Sequence, residues 1–260
     1  MSKNIVFIVN IKEEGDRKNR SIPYQYSINS WNKWCKKNNC ELFVLEDRIY
    51  PKEVMNANWH KIFAFELLEA NNIDYDQILV VDADTIIHPD SPNIFNFTDY
   101  KFCAIRNYGS MDWVCRSYEN YKKHLFPDVE FSPLEYFNSG VLIMNKTHKE
   151  IYSKLIEFYS ECYQNHDIIQ NIQKTYGVGT DQPILNFFLR KEKVDIKLLP
   201  YEWNMQDLNR FEILNKELSF INHGWLYHFN AIPNNHNGQF TQYFMEQTYN
   251  TLYNDNIPQT

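Results

Sequence analysis

The segment formed by residues 77–85 constrains the fold of this chain more than any other. It reads QILVVDADT, an apolar run of strand type that ends in two carboxylates separated by one small residue. Side chains at positions i and i+2 of an extended backbone point to the same side, so Asp82 and Asp84 can face one point while Ala83 leaves room behind them. Two hard oxygen ligands at the mouth of a buried strand suit Mg²⁺ or Mn²⁺. An Asp-rich turn without a ligand is the plainer interpretation of these residues taken alone.

The preceding segments make this strand the third in an alternation of strands and helices. Residues 4–11 (NIVFIVNI) and 41–45 (ELFVL) are runs of strand type, and helices are predicted over residues 23–37 and 53–70. The order β-α-β-α-β is typical of a sheet with parallel strands and covering helices. Ligands bind at the carboxyl ends of the strands in such open sheets, which is where the carboxylate pair lies. We therefore predict an α/β fold with a central mixed, mostly parallel sheet flanked by helices.

A second strong segment lies in residues 136–145, which read YFNSGVLIMN. A buried strand begins here with a small polar cluster, and Gly140 permits close approach by a neighbour or a ligand. The T-x-x-E pattern at residues 147–150 predicts a capping box before the next helix. A later helix that begins near Asp181 would hold that residue and Gln182 in its first turn, with their side chains free to meet a ligand.

Two regions show no clear period. Residues 107–133 are long, aromatic and charged, which leaves open either a packed irregular excursion or a flap that binds an acceptor. The sequence after residue 231 is rich in asparagine, and we expect residues 241–260 to form a peripheral C-terminal tail.

Composition and charge exclude several classes of protein. A chain of 260 residues suits one large α/β domain, and a net charge of −7 with a pI near 5.6 argues against a nucleic-acid binder. Five cysteines, never spaced C-x-x-C, favour reduced thiols in a cytoplasmic protein over disulfides or a structural zinc site. No stretch reaches the length of a membrane span, and we expect no signal peptide.

Several of these segments together resemble family 8 retaining glycosyltransferases of the GT-A fold, the glycogenin-like and bacterial galactosyltransferase group. In chain order they read VVDADTII, YFNSGVLIMN, TDQPILNF, YEWN and YHFN. The resemblance implies one GT-A domain over residues 1–240, with a nucleotide-sugar half in residues 1–106 and an acceptor and catalytic half in residues 107–240. It implies transfer of a hexose from a nucleoside diphosphate-sugar, with UDP as the nucleotide, to a hydroxyl of a glycan, a lipid-linked sugar or a protein, with retention.

The resemblance also implies a set of metal ligands. Asp82 and Asp84, with Ala83 between them, match the D-x-D that binds the metal and the nucleotide-sugar. His228 matches the late histidine that serves as third ligand to Mn²⁺ or Mg²⁺. The Gly and Lys-Pro-Trp residues that follow this histidine in the family are missing here, so His223 is a rival ligand.

Further residues are placed around the donor by the same resemblance. They are Asn138 and Gly140 on the sugar side, Asp181 and Gln182 beneath the anomeric carbon, Lys61 near the phosphates, and Asn10 and Ile11 beside the base and ribose. Trp203 and Asn204 are expected on the acceptor side, although Trp203 also suits the core. Asp181 is the candidate nucleophile for a double displacement, but same-face attack guided by the leaving phosphate is preferred by analogy.

Three other functions share part of this pattern. A haloacid-dehalogenase-type phosphatase would use Asp82 as nucleophile and Asp84 as acid/base, but it places that motif on the first strand and needs a later acidic pair. A nucleotidyltransferase would need a Gly-rich basic loop after the first strand, and residues 12–20 hold one glycine. A non-catalytic module of the same fold would bind a sugar or nucleotide without needing Asp181 and Gln182 intact.

Overall fold

The computed structural model describes residues 3–12, 21–206, 208, 218–232 and 238–254. The strands are β1 (Lys3–Val9), β2 (Glu41–Leu45), β3 (Tyr75–Val81), β4 (Thr85–Ile87), β5 (Phe102–Arg106), β6 (Phe137–Asn145), β7 (Ile196–Leu199) and β8 (Leu226–His228). The α-helices are α1 (Tyr24–Asn38), α2 (Ala64–Ala70), α3 (Met111–His124), α4 (Lys149–Gln164), α5 (Ile168–Tyr176), α6 (Asp181–Lys191) and α7 (Gln239–Tyr253).

Six strands form one mixed sheet in the order β2-β1-β3-β6-β5-β7. The pairs β2–β1, β1–β3 and β5–β7 are parallel, whereas β6 runs antiparallel to both of its neighbours. The carboxyl ends of β1, β3, β5 and β7 therefore meet the amino end of β6 at one edge of the sheet. The predicted α/β fold with a mixed, mostly parallel sheet is confirmed.

Both faces of the sheet are buried because successive side chains of a strand point to opposite sides. In β1, Ile5 and Phe7 belong to the core beneath α2, α4 and α6, while Val6 and Ile8 belong to the core beneath α1. Burial on both faces explains why the strands appear in the sequence as continuous apolar runs without alternation.

A second, two-stranded sheet determines which residues reach the carboxyl edge. Strand β4 pairs antiparallel with β8, so that Thr85 lies opposite His228. The backbone N–H of Phe229 also donates to the carbonyl of Asp84 at 2.8 Å. Residues that are far apart in the sequence are thereby held beside the end of β3.

The helix predicted over residues 53–70 has a different winding in its first half. Residues Ala57–Phe63 form a 3₁₀-helix, which continues into α2. Side chains three residues apart eclipse one another in a 3₁₀-helix, whereas they are offset in an α-helix. Asn58 and Lys61 therefore extend from the same side of this element.

The region of residues 107–133 is packed and largely helical. Helix α3 begins at the capping residue Ser110, whose hydroxyl accepts from the N–H of Trp113 at 3.3 Å. The ring of Tyr118 lies 5.0 Å from that of Phe131 and 5.3 Å from that of Phe187. These aromatic side chains therefore pack on α6 instead of standing in an open loop.

Two local expectations are wrong. Asn145 caps the 3₁₀ turn Lys146–His148 that leads into α4 and forms a reciprocal box with His148. The N-cap residue of α4 is His148, which makes no side-chain cap hydrogen bond, so the T-x-x-E pattern does not form the cap. The peripheral tail expected from residue 241 is in its described part the helix α7, which buries Phe244, Met245 and Tyr249. Their helical spacing gives α7 an apolar side that packs against α1, although the asparagine-rich composition obscured it; residues 255–260 lie outside the described part.

In the part of the chain that the structure describes, no helix is long and apolar enough to cross a membrane.

Candidate active site

A polar cavity opens at the carboxyl edge of the sheet. Its volume is about 510 Å³, within the usual range for small-molecule sites. The residues that line it come from the ends of β1 and β3, the start of α1, residues 52–61, α5 and the start of α6: Val9, Ile11, Ser21, Tyr24, Lys52, Asn56, Ala57, Asn58, Lys61, Asp82, Ala83, Asp84, Gln170, Gln173 and Thr180.

Asp82 and Asp84 lie on the rim of this cavity, and the buried side chain of His228 lies beside them. One ligand atom from each lies within 4.8 Å of the other two. His228 Nε2 is 3.2 Å from Asp84 Oδ1 and 3.8 Å from Asp82 Oδ2. The pairing of β4 with β8 brings the imidazole to the carboxylates, whereas the rival residue His223 is exposed and outside this group.

Gly140 provides the space in which these groups meet. A Cβ atom at this position would lie 2.4 Å from His228 Cε1 and 2.8 Å from Asp82 Oδ2. Both distances are shorter than the contacts that real Cβ atoms make. The carbonyl of Gly140 also accepts from the N–H of Asp82 at 2.9 Å, so its backbone holds the end of β3 directly. The close approach predicted for this glycine therefore occurs against two of the three clustered side chains.

Lys61 is a buried cation between two carboxylates. Its side chain is 3% exposed, and its Nζ lies 2.7 Å from Asp82 Oδ1 and 3.2 Å from Asp181 Oδ2. It also donates to the carbonyl of Ser139 at 3.1 Å. Burial opposes the charge, but Asp82 and Asp181 outweigh it and raise the pKa of Lys61. Lys61 is thus a fixed positive charge at the inner end of the cavity.

Asp181 is held by donors on both of its oxygens. Asn58 Nδ2 donates to Oδ1 at 2.6 Å, and Ser139 Oγ donates to Oδ2 at 2.9 Å, beside the Lys61 ammonium. Burial works against ionisation, but Lys61 and these hydrogen bonds outweigh it and lower the pKa of Asp181. Asn58 and Lys61 both reach Asp181 because the 3₁₀-helix places them on the same side of the element.

Asn138 and Gln182 form the floor beside this carboxylate. Asn138 Nδ2 donates to Gln182 Oε1 at 3.1 Å, and the N–H of Ser139 donates to the same oxygen at 3.2 Å. The N–H of Gly140 in turn donates to Asn138 Oδ1 at 2.9 Å. Both amide side chains are buried and fixed by backbone donors, so the start of β6 and the first turn of α6 form one rigid unit.

The residues expected at the nucleotide end are placed as follows. Ile11 and Ala83 line the cavity. Asn10 lies immediately before Ile11 and is buried. Its N–H donates to the carbonyl of Leu45 at 2.8 Å, and its Oδ1 has no hydrogen-bond partner among the described residues. A buried acceptor without a donor is a position at which a ligand could form a hydrogen bond.

Several residues of the site were missed by sequence reasoning. Tyr24, Lys52, Asn58, Gln170 and Gln173 line the cavity. Gln170 and Gln173 are three residues apart on α5, the spacing of neighbours on one helix face, and this signal was available in the sequence. Ser139, which donates to Asp181, was also missed, whereas Asn204, expected on the acceptor side, lies beside His228. Trp203 belongs to the core under β5 and β7, as one of its two interpretations required.

The charge and the hydrogen bonding of Asp82, Asp84 and His228 are suited to a divalent cation. His228 is buried, and its Nε2, 3.2 Å from Asp84 Oδ1, has no partner with hydrogen-bond geometry among the described residues. The carboxylates of Asp82, Asp84 and Asp181 carry three negative charges, and the ammonium of Lys61 carries one positive charge. Two negative charges therefore remain in this group when the imidazole of His228 is neutral. Two carboxylates with one imidazole are a donor set that Mn²⁺ and Mg²⁺ accept. A divalent cation would balance the charge and satisfy the unpaired nitrogen.

Comparison with known proteins gives a family match. The family model described as Glycosyl transferase family 8 matches residues 2–234 of the chain. No curated protein sequence matches it at a significant level.

Solved structures are similar to this chain in fold. A glycosyltransferase involved in the glycosylation of the major capsid of PBCV-1 has 10% identity and a TM-score of 0.54, over 94% of this chain and 98% of that one. The galactosyltransferase LgtC, in complex with donor and acceptor sugar analogs, has 15% identity and a TM-score of 0.51, over 98% and 97%. The bifunctional glycosyltransferase WbbM has 17% identity and a TM-score of 0.52 over 88% of this chain, which matches only 45% of that protein. At these identities the similarity establishes the GT-A fold.

Proposed function

The chain belongs to glycosyl transferase family 8, and from that premise we propose that it moves a hexose from a nucleoside diphosphate-sugar to a hydroxyl acceptor with the help of a divalent cation. The observation that carries the proposal is the group of Asp82, Asp84 and His228 on the rim of the cavity. Membership of the family overturns the phosphatase and nucleotidyltransferase interpretations of the Asp-Ala-Asp segment. We propose UDP as the nucleotide, by resemblance to the family.

The donor would lie along the cavity from Ile11 to the Asp82–Asp84 rim. A diphosphate is the anionic part of such a donor, and the rim is acidic, so a cation must stand between them. A divalent ion held by Asp82, Asp84 and His228 would neutralise charge on the departing diphosphate. The unpaired acceptor of Asn10, next to the cavity-lining residue Ile11, supports a polar base or ribose at this end of the cavity.

The sugar would lie against Asn138, Asp181 and Gln182. Breaking the bond to the phosphate develops positive charge at the anomeric carbon, and a fixed carboxylate stabilises such charge without reorganising. The lowered pKa of Asp181 keeps that group ionised. The ammonium of Lys61 lies between the carboxylates of Asp82 and Asp181 and offsets the repulsion between them.

The surroundings of Asp181 support same-face attack over a double displacement. A nucleophilic carboxylate needs an available oxygen, but Oδ1 of Asp181 accepts from Asn58, and Oδ2 contacts both Ser139 and Lys61. These interactions stabilise the carboxylate and lower its nucleophilicity. We therefore propose that the acceptor hydroxyl attacks on the face that the phosphate leaves, with retention, and that Asp181 acts as an electrostatic support.

The acceptor would be a hydroxyl of a glycan, a lipid-linked sugar or a protein. The five cysteines are free, which supports the cytoplasmic location favoured by the sequence.

A thermal-shift panel tests the proposal. The folded protein is heated with UDP, UDP-hexoses and GDP-hexoses, with and without Mn²⁺, and in parallel with the Asp84→Asn variant. A ligand at a hundredfold excess over its Kd stabilises the folded state by about 2.7 kcal/mol, which raises the midpoint by about 5–10 °C in a chain of this size. We expect a rise with UDP or a UDP-hexose that needs Mn²⁺ and that Asp84→Asn abolishes.

Each other result of the thermal-shift panel leads to a different conclusion. A rise only with GDP-hexoses keeps the reaction and changes the donor. A rise that needs no metal and survives in Asp84→Asn supports a non-catalytic binding module, and no rise with any nucleotide overturns the proposal. Once the donor is known, proton NMR of the first product formed gives the anomeric configuration; an inverted product contradicts same-face attack.

A further inference from the structure

We propose that Asn204 is a positioning residue that fixes the tautomer and orientation of His228, so that the lone pair of Nε2 faces Asp82 and Asp84. This inference rests on the proposed function, since it concerns how a candidate metal ligand is held. Asn204 was expected on the acceptor side, but its side chain is completely buried and has no surface to offer an acceptor.

Asn204 connects two parts of the site through its amide group. Its Oδ1 lies 3.0 Å from Nδ1 of His228, and its Nδ2 donates to Oδ1 of Asn138 at 3.0 Å. Asn138 continues the chain of hydrogen bonds to Gln182 at 3.1 Å. The clustered histidine is thereby linked to the amide expected beneath the anomeric carbon through two buried asparagines.

The direction of these hydrogen bonds follows from two backbone donors. The N–H of Gly140 can only donate, so the atom of Asn138 that it meets at 2.9 Å must be the oxygen. The N–H of Ser139 likewise requires an oxygen on Gln182. An oxygen on Asn138 then requires the nitrogen of Asn204 to face it, which turns Oδ1 of Asn204 toward His228.

The tautomer of His228 follows as the last step of this chain. An amide oxygen accepts and cannot donate, so Nδ1 of His228 must carry a hydrogen. The neutral ring then has its lone pair on Nε2, the nitrogen that makes no hydrogen bond and lies beside Asp82 and Asp84. Two backbone amides of β6 thus determine which nitrogen of His228 can bind a cation.

The backbone around Asn204 is fixed on both sides. It follows the 3₁₀ turn Tyr201–Trp203, and Trp203 is anchored in the core with its ring 5.6 Å from that of Phe97. Met205 pairs with β8, donating from its N–H to Leu226 at 2.9 Å and accepting from the N–H of His228 at 3.1 Å. The same strand therefore carries the histidine and holds the backbone next to Asn204.

The most direct test is the tautomer itself. In protein labelled with ¹⁵N at its eight histidines, long-range ¹H–¹⁵N correlation distinguishes an Nδ1–H ring from an Nε2–H ring. The His228 signal is assigned by its loss in His228→Gln and recorded at alkaline pH without metal. We expect the Nδ1–H form, which is the less common one in solution. An Nε2–H ring overturns the inference, and this measurement requires no Asn204 variant to fold.

Metal affinity provides a second test. Binding of MnCl₂ is followed by the EPR signal of free Mn²⁺, with and without UDP, in wild type, Asn204→Leu, Asn204→Asp and the control Asn145→Leu. Asn204→Leu keeps the shape but removes the acceptor, and loss of such an outer partner lowers metal affinity by about 10- to 100-fold. Asn204→Asp retains an oxygen for Nδ1–H but loses the donor to Asn138 Oδ1, so we expect it to bind Mn²⁺ more tightly than Asn204→Leu and less tightly than wild type.

The control separates positioning from stability. Asn145 is also a buried, hydrogen-bonded asparagine, but it lies at the opposite end of β6. Asn145→Leu should lower the melting temperature and leave Mn²⁺ affinity unchanged. Equal Mn²⁺ affinity in Asn204→Leu and wild type overturns the inference, whereas a wild-type protein that binds no Mn²⁺ overturns the proposed function instead.

Discussion

Strand β6 runs between two pairs of asparagine and histidine that are held in opposite ways. At its carboxyl end, Asn145 is paired with His148. At its amino end, the strand contacts Asn204 and His228 through Asn138 and Gly140. The same two residue types therefore occur at both ends of one buried strand, and the hydrogen bonds that they make distinguish a structural pair from the pair at the candidate site.

The pair at the carboxyl end is satisfied internally. The N–H of Asn145 donates to Nδ1 of His148 at 3.1 Å, and Asn145 Oδ1 accepts from the N–H of Thr147 at 3.0 Å. Asn145 Nδ2 donates to the carbonyl of Tyr100. Burial lowers the pKa of His148, which keeps its ring neutral. This pair starts helix α4 and has no unused acceptor facing a charge.

The pair at the amino end leaves one nitrogen unsatisfied. Burial alone would lower the pKa of His228, but Asp84 and then Asp82 outweigh it and raise that pKa. In the described part of the chain, Nε2 is close to Asp84 Oδ1 but has no partner with hydrogen-bond geometry. Native proteins pair nearly all of their buried polar atoms, so an unpaired nitrogen beside two carboxylates needs a physical reason. The contrast teaches that the unpaired atom, more than the histidine itself, marks this end as the site.

The largest effect should come from the carboxylate beside His228. Asp84→Asn removes a candidate metal ligand and keeps the shape, and loss of several kcal/mol of transition-state stabilisation lowers turnover by about 10³-fold. Donor turnover at saturating Mn²⁺ measures it, and circular dichroism should show an unchanged fold. Asp99→Asn, at the opposite edge of the sheet, should retain wild-type turnover. Normal turnover in Asp84→Asn would refute the metal assignment.

Gly140 tests whether the amino end of β6 needs its space. In Gly140→Ala the added methyl would lie 2.4 Å from the His228 ring and 2.8 Å from Asp82, so these groups must move apart. Misplacing reacting groups by about 1 Å costs about 10²-fold in rate, and overpacking costs about 1–3 kcal/mol in stability. Kinetic assay with denaturant unfolding separates the two effects. Gly109→Ala, where the new atom would be 3.5 Å from Asn107, is the matched control and should change neither.

Lys61 tests the charge balance at the same end. Lys61→Met removes the buried cation and leaves Asp82 and Asp181 facing one another. Breaking a buried ion pair costs about 3–5 kcal/mol of stability. Because the Asp82 side chain is 33% exposed, we expect a loss of about 2–3 kcal/mol. Denaturant unfolding measures it, and Mn²⁺ should restore part of the loss. Lys197→Met breaks the exposed pair with Asp99 at the other edge and should cost less than about 1 kcal/mol. Equal losses in the two variants would contradict a special role for Lys61.

The sequence was sufficient to predict the fold and the carboxylates of the site. The run of apolar residues before Asp82 and the preceding β-α-β-α order depend on local patterns that single segments carry. Gly140 was also recognisable, because a glycine at the start of a buried strand indicates close approach. These predictions required only the periodicity of strands and helices, together with one motif.

Other features depend on tertiary contacts that no local pattern encodes. Asn204 bonds to His228 across 24 residues of chain, so its role follows from the pairing of Met205 with β8. Lys61 was expected near the donor phosphates, and only the fold shows that it is buried between carboxylates from β3 and α6. The capping box was assigned to the T-x-x-E pattern because Asn145 and His148 match the spacing of a box but have an unusual residue in the last position.

The smallest effect should appear at the carboxyl end of β6, in the pH dependence of stability. The pKa of His148 is lowered by folding from its ordinary value of 6.5, so the unfolded chain takes up a proton that the folded protein resists. Its contribution to stability is therefore complete above about pH 6.5 and is lost as the pH falls below that value. His148→Gln places an amide oxygen where Nδ1 accepts from Asn145, which should preserve the box while removing the titration. We expect equal unfolding free energies at pH 8 and a relative gain in unfolding free energy for the variant near pH 5. Mn²⁺ affinity should be unchanged at every pH. If the unfolding free energies of the variant and wild type change equally with pH, His148 does not take up a proton on unfolding, and the prediction is wrong.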